Sequence, residues 1–111
     1  MPEADAAQAA CPFCDAGVVA SAFAADGGYL ALYDISPVLP GHSLILPRRH
    51  VRGLLDLGDD EAAALMEFAR KVTRVLIRAF KADGFDWAIQ DGTAAGQTVP
   101  HLHLHVIPRH D

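Results

Sequence analysis

The chain has 111 residues and a formal net charge of −5 with its histidines neutral, a length that suits one domain with a modest core. Hydrophobic residues make up 51% and charged residues 21%, an ordinary globular balance, and no stretch approaches the roughly 20 apolar residues that a membrane span needs. An acidic chain without a basic run is poorly suited to gripping a nucleic-acid polymer, although local backbone amides can still hold one nucleotide.

Residues 1–10 are Ala-rich and acidic and lack the basic start and apolar stretch of a secretory signal. They are expected to form a flexible N-terminus ahead of a single domain over residues 11–111, in a cytoplasmic protein. Cys11-Pro12-Phe13-Cys14 carries the two cysteines. In a reducing compartment this spacing marks a metal or redox site more often than a disulfide. No βαβ pattern surrounds it, which weighs against the redox reading, and two free thiols are the remaining alternative.

Residues 21–24 and 29–33 flank Ala25-Asp26-Gly27-Gly28 and read as a β-hairpin, because the glycines allow positive φ. Ser36-Pro37 and Pro40-Gly41 mark turns. Residues 43–46 form a short apolar strand ended by Pro47. Residues 59–81 are the strong helix, with an apolar stripe of Leu65, Ala69, Val72, Leu76 and Ala79. Asp59, Asp60 and Glu61 suit its positive N-terminal end, Asp59 is the expected cap, and Gly84 fits the position past its C-terminus. Residues 85–90 read as a strand, 91–96 as a loop and 101–107 as the last strand, stopped by Pro108. Strands with one long covering helix imply an α+β domain with an antiparallel sheet.

In that last strand, alternate residues share a face at a repeat of about 6.6 Å. His101, His103 and His105 therefore lie on one face, and Leu102, Leu104 and Val106 on the core face. Three imidazoles in register imply a surface built for anions, protons or metal rather than a solvated face that happens to carry histidines. Asp91-Gly92-Thr93-Ala94-Ala95-Gly96-Gln97-Thr98-Val99-Pro100 leads into it. Its glycines can offer backbone amides to phosphate oxygens, and Gln97 and Thr98 add side-chain donors.

The run from Gln90-Asp91-Gly92 through Gln97-Thr98-Val99-Pro100-His101-Leu102-His103-Leu104-His105 to Arg109 resembles the signature of the histidine triad (HIT) family, as does Tyr33-Asp34-Ile35-Ser36-Pro37 with Pro40-Gly41-His42. The first segment is most similar to the dinucleoside-polyphosphate hydrolase branch and the second to the nucleoside phosphoramidase branch. The resemblance implies an antiparallel sheet of about five strands with one long helix and a shorter one, usually assembled as a two-fold homodimer. It implies an enzyme in which His103 attacks the α-phosphate of a dinucleoside polyphosphate or nucleoside phosphoramidate. A covalent nucleotidyl-histidine forms, and water releases a nucleoside monophosphate. His105 would steady the phosphate charge and His42 would support the triad. Gln97 and Thr98 would contact phosphates, Gln90 would order polyphosphate or water, and Asp34 would hold the ribose hydroxyls. Ile35 and Leu46 would line the base pocket, with adenine the expected base, or serve as plain core packing. Many family members continue beyond the position of Asp111, with tails that shape substrate choice.

Metal-binding members of the family use cysteines and histidines at positions matching Cys11, Cys14, His50 and His101. The resemblance therefore implies a closed Cys₂His₂ zinc site of structural type, leaving His103 and His105 for catalysis. Two further functions stay open: a nucleotide-binding module with little catalysis, and a hydrolase whose zinc activates water.

Overall fold

The computed structural model describes residues 11–111, and the expected flexible N-terminus lies outside the described residues. The class is α+β. Strands β1 (Ala24–Asp26), β2 (Tyr29–Tyr33), β3 (Ser43–Pro47), β4 (Gly84–Ile89) and β5 (Leu104–Arg109) form one sheet in the order β1-β2-β3-β5-β4. Every pairing in it is antiparallel. The short helix α1 spans Ala16–Ala20 and the long helix α2 spans Asp59–Phe80.

Sheet alternation separates two apolar layers. Tyr29, Ala31, Ile45, Leu104 and Val106 face α2 and meet Leu65, Phe68, Ala69, Val72 and Leu76. Burying each of the larger side chains contributes about 1.5–3 kcal/mol. Tyr29 also donates its hydroxyl to the Glu61 carbonyl at 2.6 Å, tying β2 to the first turn of α2. Leu30, Leu32, Leu44 and Leu46 face the other way, under Phe13, Val18 and Val19. The N-terminal segment thus covers part of the face that α2 leaves bare.

Several boundaries differ from the sequence expectation, each for a local reason. The hairpin turn uses Gly27 and Gly28 alone, with φ of +56° and +90°. Such a two-residue turn lets β1 run on to Asp26, paired with Tyr29. The strand expected at 21–24 is mostly turn, preceded by α1, whose first-turn amide at Val18 is capped by the Asp15 carboxylate at 3.1 Å. Asp59 is not the cap of α2. Gly58 occupies that position, and its N–H donates to Glu61 Oε1 at 2.9 Å. At the other end Lys81 takes the left-handed conformation, φ 55° and ψ 40°, and ends the helix three residues before Gly84, which opens β4 instead. His110 Nε2 donates to the Phe80 carbonyl at 2.8 Å, satisfying an end carbonyl. Ala79 is exposed, outside the buried stripe.

The histidine segment also differs. Pairing begins at Leu104, so His101 and His103 precede the ladder and only His105 lies in it. Pro108 does not stop the strand. β3 pairs with β5 only as far as Val106, so beyond that point β5 has β4 alone beside it, and a residue without an N–H is tolerated.

Candidate functional site

His105 lies opposite Leu44 of β3 and Ala88 of β4. Its neighbours Leu104 and Val106 face α2, so its side chain faces away from that helix. His42 is brought beside it by the turn at Gly41, whose φ is +85° and where a Cβ would come within 2.8 Å of Phe80. Asp34 follows β2 and is held by its N–H donating to the His42 carbonyl at 2.9 Å. His42, His101 and His103 are 4%, 0% and 7% exposed. The histidine face is therefore covered, not solvated.

The hydrogen bonds assign the imidazole tautomers. The Val38 N–H donates to His42 Nδ1 at 3.1 Å, so neutral His42 carries its proton on Nε2. That proton points to His105 Nδ1 at 2.9 Å, with Asp34 Oδ2 at 3.4 Å from the same nitrogen. His105 accepts at Nδ1 and so carries its own proton on Nε2, which is buried and has no partner among the described residues. His103 Nδ1 donates to the His101 carbonyl at 2.8 Å, which leaves Nε2 of His103 with an unused lone pair. His103 and His105, two residues apart, both line one cleft. Burial, reinforced by the neighbouring His103 and His42, lowers the His105 pKa below its usual 6.5, while Asp34 opposes the shift.

That cleft, about 390 Å³, is lined by Phe13, Leu32, Asp34, Ile35, Leu44 and Thr98 besides the two histidines, and Gln90 also borders it. The structure thus brings Asp34, Ile35, Gln90 and Thr98 together with His103 and His105. Two expected contacts lie elsewhere. Leu46 is fully buried in the apolar cluster, and the strand leucines at the cleft are Leu32 and Leu44. The Gln97 amide is consumed by the chain itself: Oε1 accepts from the Gly92 N–H at 2.7 Å and Nε2 donates to the Arg52 carbonyl at 3.0 Å. Asp91 similarly accepts from the Leu54 N–H at 3.0 Å. Together they clamp the glycine loop to the segment after His50. Sequence reasoning did not single out Phe13 or the Val38 amide. Phe13 was visible only as a spacer inside C-x-x-C, and a backbone donor leaves no mark in side-chain pattern.

Cys11, Cys14, His50 and His101 converge beyond the cleft, with one ligand atom from each lying within 4.8 Å of all the others. Cys14 Sγ is 3.2 Å from His50 Nδ1, and His101 Nδ1 is 3.4 Å from Cys11 Sγ and 3.6 Å from Cys14 Sγ. Tetrahedral zinc, with bonds of about 2.0–2.3 Å to nitrogen and sulfur, separates its donors by about 3.3–3.8 Å. These residues therefore fit such an ion. His101 Nε2 donates to the Pro47 carbonyl at 2.8 Å, which turns the Nδ1 lone pair toward the thiols. Burial lowers the His101 pKa, and the Pro47 bond opposes this. Asp34, His42 and His105 form a second cluster of potential ligands. Their hydrogen bonds argue against a cation there. Freeing His42 Nε2 would move its proton to Nδ1, where Val38 already donates.

Sheet, helix and imidazole relay define a histidine-triad architecture, and the comparisons agree. The HIT domain family model matches residues 18–111, and the chain belongs to that family. It is 47% identical over 79 residues to the asymmetrical bis(5'-nucleosyl)-tetraphosphatase of Schizosaccharomyces pombe, covering 71% of this chain and 43% of that protein. It is equally identical over 79 residues to the bis(5'-adenosyl)-triphosphatase of Dictyostelium discoideum, covering 71% and 53%. The chain thus spans about half the length of these relatives. A Zn-bound histidine triad family protein from Mycobacterium smegmatis superposes with a TM-score of 0.83 at 34% identity, covering 94% of this chain and 78% of that one. No helix among the described residues is long and apolar enough to cross a membrane.

Proposed function

We propose that this chain hydrolyses a dinucleoside polyphosphate or a nucleoside phosphoramidate at its α-phosphate, through a nucleotidyl-imidazole on His103. One observation carries the reading: His103, with a bare lone pair at Nε2, and His105, with an unpartnered N–H at Nε2, line the same cleft. In the first step His103 Nε2 bonds to the α-phosphorus and the bond to the leaving oxygen or nitrogen breaks. In the second, water attacks the phosphorus, the N–P bond breaks and the nucleoside monophosphate leaves. The His105 N–H donates to a non-bridging oxygen on which charge grows. Asp34 holds the ribose and Thr98 and Gln90 the phosphates, while Leu32, Leu44 and Ile35 border the base, for which adenine is the expectation. The adenosyl names of several relatives support that choice.

Cys11, Cys14, His50 and His101 would hold a structural zinc. Four donors leave no open position for an activated water, which weighs against zinc-driven hydrolysis. A second copy of the chain finds support in an apolar groove of about 500 Å³ between α2 and β4, lined by Met66, Ala69, Thr73 and Trp87, beside the unpaired edge of the sheet. Sedimentation as a monomer at micromolar concentration would count against it.

The test of the main reading is His103→Ala, assayed with diadenosine polyphosphates, adenosine phosphoramidate and adenylylated lysine. Turnover should vanish while nucleotide binding survives, and mass spectrometry of quenched wild-type protein should find the adduct on His103. Normal turnover by the variant refutes the nucleophile assignment. Tight binding with negligible wild-type turnover of every substrate would favour a binding module.

A further inference from the structure

The two histidines at the cleft are held in different ways. His105 sits in the sheet, with a paired strand on either side. His103 precedes the ladder, and the backbone around it is fixed by isolated bonds: His101 N–H to the Val99 carbonyl at 2.8 Å and Leu102 N–H to the Val51 carbonyl at 2.7 Å. Its ring has one hydrogen bond, to the carbonyl of His101. A single bond at Nδ1 does not fix an imidazole plane, because the χ2 torsion is broad.

Two rings meet it edge-on: His105, 5.1 Å away at 64°, and Phe13. The Phe13 and His103 rings lie 5.1 Å apart at 70°, and the Phe13 and His101 rings 5.8 Å apart at 89°. Both are edge contacts of the kind aromatic rings favour. Phe13 itself stands in the single helical turn Pro12–Cys14, closed by the Cys14 N–H donating to the Cys11 carbonyl at 3.1 Å. One ring therefore touches a candidate metal ligand and the candidate nucleophile together, and its position is set by the two thiols flanking it and by the leucine layer of β2 and β3 beneath it.

We propose that Phe13 is a positioning residue for His103, and that a divalent cation among Cys11, Cys14, His50 and His101 holds it in place. With the four donors drawn to one ion, the turn and the His101 carbonyl are fixed, and His103 keeps its proton on Nδ1 and its lone pair on Nε2. Without the ion or the ring, His103 rotates and also samples the tautomer protonated at Nε2, which has no lone pair for phosphorus. The inference rests on His103 as nucleophile, but its first readout needs no substrate.

That readout is the tautomer of His103 in the full chain, followed by long-range proton–nitrogen NMR on histidine-labelled protein and assigned with His103→Gln. Zinc-loaded wild type should show one Nδ1–H form. Protein stripped of zinc, and zinc-loaded Phe13→Ala with its metal content verified, should both show mixed forms. In turnover, Phe13→Ala should lower kcat about tenfold to a hundredfold with KM nearly unchanged, and Phe13→Tyr should restore both signals. If Phe13→Ala does not fold or loses zinc, Phe13→Leu carries the comparison. A single Nδ1–H form in the zinc-loaded variant overturns the proposal, as does a rise in KM alone, which would make Phe13 merely part of the cleft wall. Should no variant turn over any nucleotide, the catalytic reading fails while the tautomer result still decides the positioning role.

Discussion

Gly41→Ala asks how tightly the turn before His42 is held. Gly41 has a φ of +85°, a region that strains an L side chain by about 1–2 kcal/mol. The new methyl would also stand 2.8 Å from Cδ2 and 3.0 Å from Cε2 and Cγ of Phe80. That ring has little freedom to retreat. It lies edge-on to Tyr33 at 6.2 Å, and Tyr33 stacks on Phe23 at 4.4 Å. Overpacking of this kind costs about 1–3 kcal/mol. The combined loss of about 2–5 kcal/mol is a large part of the roughly 5–15 kcal/mol that holds such a domain folded. With a urea slope of about 1–3 kcal/mol per molar, the unfolding midpoint should fall by at least about 0.7 M. Circular dichroism in a urea series reads this directly. Because His42 is the next residue, turnover should fall in the folded fraction as the relay to His105 loosens. A midpoint within about 0.3 M of wild type would refute the packing argument, since the slope then leaves too little energy for a clash.

Three further outcomes follow from the site. Since burial lowers the His105 pKa below 6.5, the group is neutral in both states at higher pH and contributes no pH dependence there. As pH falls below 6.5 the unfolded chain takes up the proton first, so stability is lost until the folded value is passed. Wild-type urea midpoints should therefore drop more steeply between about pH 7 and 5.5 than those of His105→Gln, and an equal slope would contradict the assignment. For the metal, burial and then the neighbouring Cys11 push the Cys14 thiol up to about 11 when no cation is bound. Zinc added to stripped protein in weak buffer should thus release protons, and chelation should lower the Tm of wild type but not of Cys14→Ala. An unchanged wild-type Tm would remove the site from the fold's support. Finally, Gln97→Leu strands the Gly92 N–H and the Arg52 carbonyl, costing about 1–3 kcal/mol for each group left unpaired. It should destabilise more than it raises KM, and the reverse pattern would restore Gln97 as a phosphate contact.

The elements with strong periodicity were legible in the sequence. The stripe from Leu65 to Leu76 and the glycine pair at 27–28 both occur where pattern and turn chemistry put them. Alternation also gave the correct faces for His105 against Leu104 and Val106. What alternation could not give was where pairing starts, because ladder bonds depend on how far β3 and β4 extend, and those partners lie far along the chain. The convergence of Cys11, Cys14, His50 and His101 was accessible only through family likeness, since their spacing along the chain says nothing of a common point. The bonds that the Gln97 amide makes within the chain were hidden for a general reason. An amide beside a glycine loop looks the same in sequence whether it serves a ligand or the loop, and only the 2.7 Å bond to Gly92 distinguishes the two. Leu46 and Leu44 share a face and a residue type, so their division between core and cleft rests on where α1 and Phe13 lie across them.

The unpartnered N–H of His105 has a consequence for how this protein tolerates change. A buried donor without an acceptor weakens the free fold by about 1–3 kcal/mol. An anion that accepts from this N–H would offset the deficit and so link ligand and fold through one atom. Selection for thermal resistance alone would favour an apolar residue at 105 and would yield a sturdier, silent protein. On the chemistry proposed above, stability gained at this position would signal lost activity, and libraries of this chain screened only for heat tolerance should discard His105 early.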